Sequence, residues 1–181
     1  MSPAAPIHLC FVCLGNICRS PTAEGVMAAL VAEAGLADVI VVDSAGTAGW
    51  HRGEAPDPRA TAEARRRGVE LTSRASAFAP GDAAAYDLVL AMDRQNLSDL
   101  LDRTPEPELR PRLRLLREFD PALGRDDRWN GEVPDPWSGG EEGFAVVYDL
   151  IEAACRGLLD HLRRGPDGGT AQPSQPPRAS S

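Results

Sequence analysis

Residues 13–20 constrain this chain more than any other part of the sequence. They read Cys-Leu-Gly-Asn-Ile-Cys-Arg-Ser and are followed at once by Pro21. An apolar run, residues 7–12, leads into this segment, and a stretch with a helical pattern leaves it. A strand, a tight loop and a helix N-terminus in this order would bring a cysteine thiolate, a guanidinium and several backbone N–H groups onto one small anion. The arrangement predicts phosphate chemistry with sulfur as the nucleophile.

The spacing of cysteine and arginine carries little information alone, and the surrounding residues give it weight. Gly15 and Asn16 tolerate the left-handed backbone that a tight anion-binding loop requires. We expect Ser20 to cap the following helix and Pro21 to lie in its first turn, where a missing N–H costs nothing. The predicted phosphate-binding residues are Leu14, Gly15, Asn16, Ile17, Cys18 and Arg19.

The length and composition predict one folded domain with a polar tail. A hydrophobic fraction of 43% in 181 residues is ample for a single core. From residue 165 onward the chain is rich in Gly, Pro, Ser and Gln and has almost no apolar residue, so it does not bury enough surface to order itself. We therefore expect a domain over residues 1–164 and a disordered C-terminal tail over residues 165–181.

The net charge and the cysteine content argue against several classes of protein. A formal net charge of −8 disfavours binding to nucleic acids or anionic membranes, which need basic surfaces. Residues 1–6 do not resemble a signal peptide, and no stretch approaches the length of a membrane span. Four cysteines in this setting indicate free thiols in a reducing compartment. We expect a cytoplasmic protein, and a monomer.

Strand-like and helix-like patterns alternate along the chain. Strands are predicted at residues 7–12, 39–42, 86–91 and 113–116, and helices at residues 20–34, 58–67, 94–101 and 144–162. This order implies right-handed βαβ units and an α/β fold of three layers, a four-stranded parallel sheet flanked by helices on both faces. Ligands of such sheets bind beyond the carboxyl ends of the strands. The predicted phosphate-binding loop follows the first strand and would lie there.

Cys13 is the candidate nucleophile. Its thiolate would be stabilised by the helix N-terminus, by the N–H groups of the loop and by Arg19, and the Ser20 hydroxyl would donate to the sulfur. The planar guanidinium of Arg19 matches two oxygens of a phosphoryl group. The expected chemistry is in-line attack on phosphorus, a phosphocysteine intermediate and its hydrolysis by water. Because these groups neutralise the transferring oxygens, no metal or other cofactor is expected.

Other interpretations of the cysteines stay open at this point. Cys13 is alternatively a small buried hydrophobic residue at a strand end. Cys10 and Cys13, with His8, have the spacing of half a zinc site or a redox pair, although residues three apart on a strand point to opposite faces. Cys18 either packs in the loop or forms a reversible disulfide with oxidised Cys13. Cys10 and Cys155 are expected in the core.

A phenolate leaving group needs a proton donor that faces the loop. Three Asp-Pro dipeptides offer candidates, and Asp57 and Asp120 are expected to be turn initiators or helix caps. Asp135 is favoured because flanking prolines stiffen its position and the following glycines let the loop approach. Trp50 and Trp137 stand on polar loops, either as lids over the core or as two walls around an aromatic phosphoester.

Four segments, residues 11–21, 43–47, 91–93 and 135–137, together resemble the low-molecular-weight protein tyrosine phosphatases. The resemblance covers residues 7–162. It implies hydrolysis of phosphotyrosine in protein substrates, with inorganic phosphate as product and inhibitor. The site residues that it implies are Cys13 as nucleophile, Arg19 as phosphate clamp, Asp135 as general acid and then base, Asn16, Ser20 and Ser44 as hydrogen-bonding supports of the loop, and Cys18 as redox partner.

Two departures from the family pattern leave alternatives open. Many relatives carry a second aromatic residue where this chain has Ser138, which weakens one wall of the pocket. Many also carry a histidine where this chain has residues 72–74, Thr-Ser-Arg. The alternatives are a protein arginine phosphatase, whose loop carries threonine where this chain has Ile17, and a catalytically weak adaptor that binds phosphate or phosphotyrosine. An arsenate reductase would need further cysteines, and Cys155 is the only cysteine outside the first strand and the loop.

Overall fold

The computed structural model describes residues 5–165. The four strands are β1 (Ile7–Cys13), β2 (Ile40–Gly46), β3 (Leu88–Ala91) and β4 (Leu113–Leu115), and the four α-helices are α1 (Arg19–Glu33), α2 (Pro58–Arg66), α3 (Arg94–Asp102) and α4 (Glu141–Arg164). All strands pair in parallel, in the order β2-β1-β3-β4. This confirms the predicted sheet. The predicted disordered tail, residues 165–181, lies outside the described residues apart from Gly165.

Helices cover both faces of the sheet, as predicted. Leu9 and Phe11 of β1 point to the face that is packed by α1, α2 and α4. Cys10 and Val12 point to the opposite face, which is covered by α3 and the segments before β3 and β4. A strand buried on both sides reads as a continuous apolar run, which is the pattern of residues 7–12. Within residues 5–165 no helix is long and apolar enough to span a membrane.

The sulfurs of Cys10 and Cys13 point to different faces of β1, so they do not form a metal or redox pair. Cys13 belongs to the core cluster on the α1 side, and Cys10 belongs to the cluster on the α3 side. Cys10 and Cys155 are fully buried, as predicted. Burial raises the pKa of both thiols.

Several predicted boundaries differ from the structure, by one to four residues. β2 extends to Gly46, because its backbone pairs with β1 in register up to Cys13, although alternate residues of β2 are exposed. α4 begins at Glu141, three residues earlier than predicted, and two glutamates occupy its first turn, where a negative charge is favourable. Ser20 does not cap α1. The helix already begins at Arg19, and the Ser20 hydroxyl turns toward the sulfur of Cys13 instead.

The register of the strands brings the residues that follow β1, β2 and β3 to one edge of the sheet. Cys13 pairs with Gly46, and Val12 pairs with Ala91, so the segments that follow β1, β2 and β3 leave the sheet side by side. A Cβ atom on Gly46 would lie 2.7 Å from the carbonyl oxygen of Leu14. Glycine at this position therefore lets the loop after β1 pass close to the end of β2.

Candidate active site

The loop after β1 is held in shape by Asn16. Its φ of +56° lies in the left-handed region, which asparagine adopts more readily than most residues. Its buried side-chain amide donates to the hydroxyl oxygens of Ser20, at 2.7 Å, and Ser44, at 3.0 Å. Its Oδ1 accepts from the backbone N–H of Ser76 at 2.9 Å. These contacts join the loop to α1, to β2 and to the segment after α2.

Gly15 has a different role from the one that the sequence suggested, since its φ is not positive. A Cβ atom on Gly15 would lie 3.0 Å from Cδ2 of His51. Glycine is therefore favoured by the close approach of the loop that carries His51. Backbone hydrogen bonds keep that approach fixed, because Thr47 N donates to Cys13 O at 2.9 Å and Ala48 N donates to Leu14 O at 2.8 Å.

Cys13 lies at the base of the loop, with a side chain that is only 3% exposed. Its Sγ is 3.0 Å from the Ser20 hydroxyl oxygen in the first turn of α1. Because α1 begins at Arg19, its free N–H groups lie close to this sulfur in sequence and in space. A thiolate at this position therefore has a hydroxyl donor and the positive end of a helix beside it.

Arg19 is also buried, at 3% exposure, and its guanidinium has fixed partners. Nη1 donates to Asp93 Oδ2 at 2.6 Å and to the carbonyl oxygen of Val133 at 3.1 Å, while Nη2 is 3.7 Å from Asp135 Oδ2. Burial alone would lower the pKa of Arg19, but the negative charges of Cys13, Asp93 and Asp135 outweigh burial and raise it. The guanidinium thus stays cationic and rigid beside Cys13.

Asp93 is a site residue whose second role sequence reasoning missed. Its first role is to cap α3, since its Oδ1 accepts from Asn96 N at 2.7 Å. Its other carboxylate oxygen binds Arg19, 74 residues away in the chain. The position of Asp93 at the carboxyl end of β3, next to the end of β1, was the available signal.

Asp135 stands at the open side of the site, with 46% of its side chain exposed. Its Oδ1 accepts from the N–H of Trp137 at 3.0 Å, which orients the carboxyl group. The two other Asp-Pro aspartates act as local caps, as predicted. Asp57 accepts from Arg59 N at 2.8 Å at the start of α2, and Asp120 accepts from Ala122 N at 2.9 Å.

A cleft of about 190 Å³ opens above Cys13. Trp50 and Trp137 both line it and are both exposed, so they form its rim rather than lids over the core. His51 is a rim residue that the sequence did not indicate, and its ring lies 5.8 Å from that of Trp137 between centroids. The cleft is lined by Cys13, Leu14, Gly15, Ile17, Cys18, Arg19, Trp50, His51, Asp135 and Trp137.

Ser44 supports the loop from behind, together with Glu24, which sequence reasoning missed. The Ser44 hydroxyl accepts from Asn16 and donates to Glu24 Oε2 at 2.5 Å. Burial raises the pKa of the Glu24 carboxyl, an effect that the hydrogen bonds from Ser44 and Ser73 oppose in part. A chain of hydrogen bonds thus runs from Glu24 through Ser44, Asn16 and Ser20 to the sulfur of Cys13.

Cys18 lies in the same loop and is a free, buried thiol. Burial, followed by the negative charges of Asp57 and Cys13, raises the pKa of Cys18 to about 12. The group is therefore a protonated thiol at neutral pH. Its environment differs from that of Cys13, whose sulfur has the Ser20 hydroxyl beside it.

The fold and the site define a class of protein. It is an α/β protein in which a loop between a strand and a helix N-terminus surrounds a cysteine, with a buried arginine and an exposed aspartate facing it. The chain matches the low molecular weight phosphotyrosine protein phosphatase family over residues 8–167. It therefore belongs to this family, whose members are hydrolases of phosphoric monoesters.

Individual relatives cover most of the chain. A low molecular weight protein-tyrosine-phosphatase of Streptomyces coelicolor is 43% identical over 164 residues, which are 91% of this chain and 98% of that protein. The low molecular weight phosphotyrosine protein phosphatase of Sus scrofa is 36% identical over 84% of this chain and 94% of its own length. The crystal structure of a protein tyrosine phosphatase from Entamoeba histolytica, with Hepes in its active site, has a TM-score of 0.82 and 38% identity, and the match covers 88% of this chain and 98% of that one.

Proposed function

We propose that this chain hydrolyses phosphotyrosine in proteins through a phosphocysteine intermediate, without a metal. The observation that carries the proposal is the convergence of three groups on one cleft: the sulfur of Cys13, the guanidinium of Arg19 and the carboxyl of Asp135. Family membership supports the same reaction. No further group is required, since a nucleophile, an electrostatic clamp and a proton donor are all present.

The first half of the reaction forms the covalent intermediate. The N–H groups of residues 14–19 and the guanidinium of Arg19 bind the phosphoryl oxygens and neutralise their charge. The Cys13 thiolate attacks phosphorus in line with the leaving oxygen, so that an S–P bond forms as the P–O bond breaks. Asp135, on the open side of the cleft, gives its proton to the departing phenolate oxygen.

The second half releases phosphate. Asp135, now a carboxylate, takes a proton from a water molecule that attacks the phosphocysteine, and the S–P bond breaks. The leaving group is the Cys13 thiolate, which the Ser20 hydroxyl stabilises at 3.0 Å. Asn16 and Ser44 keep that hydroxyl in place through the hydrogen bonds described above. Inorganic phosphate, the product, fits the same groups and is expected to inhibit.

The walls of the cleft favour a phenyl ring over other leaving groups. Trp50 and Trp137 offer aromatic surface at the rim, and the buried Ile17 offers apolar surface inside. A guanidinium substrate would leave its N–H groups facing Ile17 without acceptors. The protein arginine phosphatase alternative is therefore not favoured. Ser138, which follows Trp137, adds no second aromatic wall, so one side of the substrate's phenyl ring is left open to solvent.

Three further properties complete the proposal. Cys18, in the same loop as Cys13, is proposed to form a reversible disulfide with it under oxidation. We further propose that the chain acts as a monomer and that it works in the cytoplasm, where the four free thiols stay reduced.

A comparison of phosphopeptides tests the substrate. One peptide sequence carrying phosphotyrosine, phosphoserine or phosphoarginine is incubated with the protein, and released phosphate is measured. We expect kcat/KM to be highest for phosphotyrosine. Faster turnover of phosphoarginine would assign the alternative enzyme. Tight binding of the phosphotyrosine peptide without turnover would assign an adaptor and contradict the proposal.

A further inference from the structure

Arg59, in the first turn of α2, is bound in two places by the carboxylate of Asp57. Its Nε donates to Asp57 Oδ1 and its Nη2 donates to Asp57 Oδ2, both at 3.1 Å. Asp57 in turn caps α2 by accepting from the Arg59 N–H. Because the carboxylate is buried and fixed at a helix start, the guanidinium has one defined orientation.

The other side of this guanidinium contacts the segment that follows Asp135. Nη2 donates to the carbonyl oxygen of Trp137 at 3.2 Å, and Nη1 donates to that of Gly139 at 3.3 Å. The guanidinium carbon lies 4.6 Å from the ring centroid of Phe144 and 5.6 Å from that of Trp137. Arg59 thus binds both the backbone and the side chain of Trp137, two residues after the proposed acid.

The Asp57–Arg59 pair also contacts the phosphate-binding loop. The backbone N–H of Asp57 donates to the carbonyl oxygen of Ile17 at 2.7 Å. Asp57 thus contacts the loop that holds Cys13, and Arg59 contacts the loop that holds Asp135. Because the two residues are bound to each other, they bridge the two loops.

Asp135 itself is weakly held. Among the described residues its carboxylate accepts one hydrogen bond, from Trp137 N, and its ion pair with Arg19 is 3.7 Å long. The chain before it is anchored at Val133, whose N–H donates to Met92 O at 2.8 Å and whose carbonyl accepts from Arg19. The chain after it is anchored by Arg59.

We propose that Arg59 is a positioning residue that holds the Asp135 loop against the phosphate-binding loop and so sets proton transfer to the leaving group. This rests on the proposed function, in which Asp135 is the general acid. Arginine suits the position because its planar fork serves a carboxylate and two carbonyls while its faces pack on aromatic rings. A lysine ammonium would keep the charge but lose this geometry.

The test uses the dependence of rate on the leaving group. A phenyl phosphate releases a basic phenolate and needs its proton, whereas p-nitrophenyl phosphate releases a weakly basic phenolate and needs it less. We measure kcat/KM for both substrates, since this constant reports the first chemical step, and take their ratio within each protein sample. Because unfolded molecules lower both rates equally, the ratio is unaffected by partial loss of folding.

Arg67 provides the matched control. It lies at the other end of α2, directly after the helix, and its side chain is 33% exposed, as is that of Arg59. Like Arg59 it pairs with a buried carboxylate, here Glu63, and lies over an aromatic ring of α4, at 4.8 Å from the Tyr148 centroid. It contacts neither catalytic loop in the described part of the chain. R67A therefore reports the loss of a similar α2–α4 contact without loss of acid positioning.

We expect R59A and R59K to lower kcat/KM about tenfold or more for phenyl phosphate and about threefold or less for p-nitrophenyl phosphate, because a general acid contributes about 100-fold or more when well placed. R67A should leave the ratio unchanged. D135N separates the two proposals. If D135N changes the ratio and R59A does not, Arg59 does not position the acid. If D135N itself leaves the ratio unchanged, the assignment of Asp135 as general acid is wrong.

Discussion

The guanidinium of Arg19 donates from Nη1 to Asp93 Oδ2 at 2.6 Å. This contact joins the start of α1, which follows the phosphate-binding loop, to the cap of α3. The Nη1 side of the guanidinium is therefore occupied, since Nη1 also donates to the carbonyl oxygen of Val133. The Nη2 side faces Asp135 and the cleft. A buried arginine with one side fixed loses little further entropy when it binds a phosphoryl group.

This contact predicts different effects for two substitutions of Asp93. D93N keeps an oxygen that caps α3 at Asn96 but removes the charge that binds Arg19, so the inhibition constant of phosphate should rise about tenfold, the size of one charge-assisted hydrogen bond. D93A should raise it similarly and also lower Tm by about 3 °C, since loss of a cap costs about 1 kcal/mol. Phosphate inhibition and thermal unfolding are the measurements. An unchanged inhibition constant in D93N would contradict this role.

The nucleophile is tested by C13S. We expect turnover of p-nitrophenyl phosphate to fall more than about a thousandfold, because a hydroxyl is not ionised at neutral pH, and removal of a nucleophile has costs of this order elsewhere. Circular dichroism and Tm should stay close to those of the unchanged protein, since the two side chains are nearly the same size. C155S, which alters a buried cysteine on α4, is the control and should retain activity. Comparable activity in C13S would end the proposed mechanism.

Oxidation tests the proposed role of Cys18. Hydrogen peroxide oxidises the Cys13 thiolate to a sulfenic acid, and the Cys18 thiol then forms a disulfide with it and releases water. Dithiothreitol should restore most activity of the unchanged protein after long exposure to peroxide. C18S should recover several-fold less, because an unprotected sulfenic acid proceeds to the irreversible sulfinic acid. Equal recovery in both proteins would show that Cys18 only packs in the loop.

Alkylation offers a second check on the two thiols of the loop. Burial raises the pKa of Cys18 to about 12, so almost none of it is thiolate at pH 7. We expect iodoacetamide at pH 7 to modify Cys13 and to leave Cys18 unmodified in the folded protein, as read by mass spectrometry of peptides. Prior addition of phosphate should slow the modification of Cys13. Preferential labelling of Cys18 would contradict the environment described for it.

The segment before Asp135 should become less stable in acid. Asp127 accepts from both Nη1 and Nη2 of Arg117, at 2.8 Å each, and from the N–H of Gly131. The Arg117 hydrogen bonds, then that of Gly131, lower the pKa of Asp127 to about 2. In the unfolded chain the pKa of an aspartate is about 3.9. The pKa of Asp127 is lower in the folded protein than in the unfolded chain. Its stabilising contribution is therefore fully present above the unfolded pKa of about 3.9 and is lost as the pH falls through about 2.

Urea unfolding of D127N against the unchanged protein measures this contribution. The difference in midpoint should be constant from pH 7 to about pH 5 and should shrink toward pH 2. D126N alters the neighbouring, exposed carboxylate and should show little difference at any pH. A D127N difference that stays constant down to pH 2 would mean that the ion pair with Arg117 does not stabilise the fold.

Local pattern was sufficient for most of the fold. The apolar run before Cys13 and the alternation of strands and helices predicted the parallel sheet, because a strand buried on both faces requires continuous apolar residues. The loop itself is contiguous in sequence, so its cysteine, arginine and asparagine were visible together. Asp135 was favoured among three Asp-Pro candidates by its neighbours, and the structure places it at the cleft.

Contacts between distant segments were decided by tertiary structure alone. Arg19 meets Asp93 because β1 and β3 are neighbours in the sheet, and Arg59 meets the carbonyl of Trp137 because α2 packs against α4. Neither pair is marked by any local pattern, since strand order and helix packing bring together residues more than 70 positions apart. The amino-acid sequence by itself therefore determined the chemistry of the phosphate-binding loop, because its functional groups lie within one contiguous segment, residues 13–20. The partners that orient its arginine and its acid were determined only when the sheet and helices packed, because burial selects contacts by position in space.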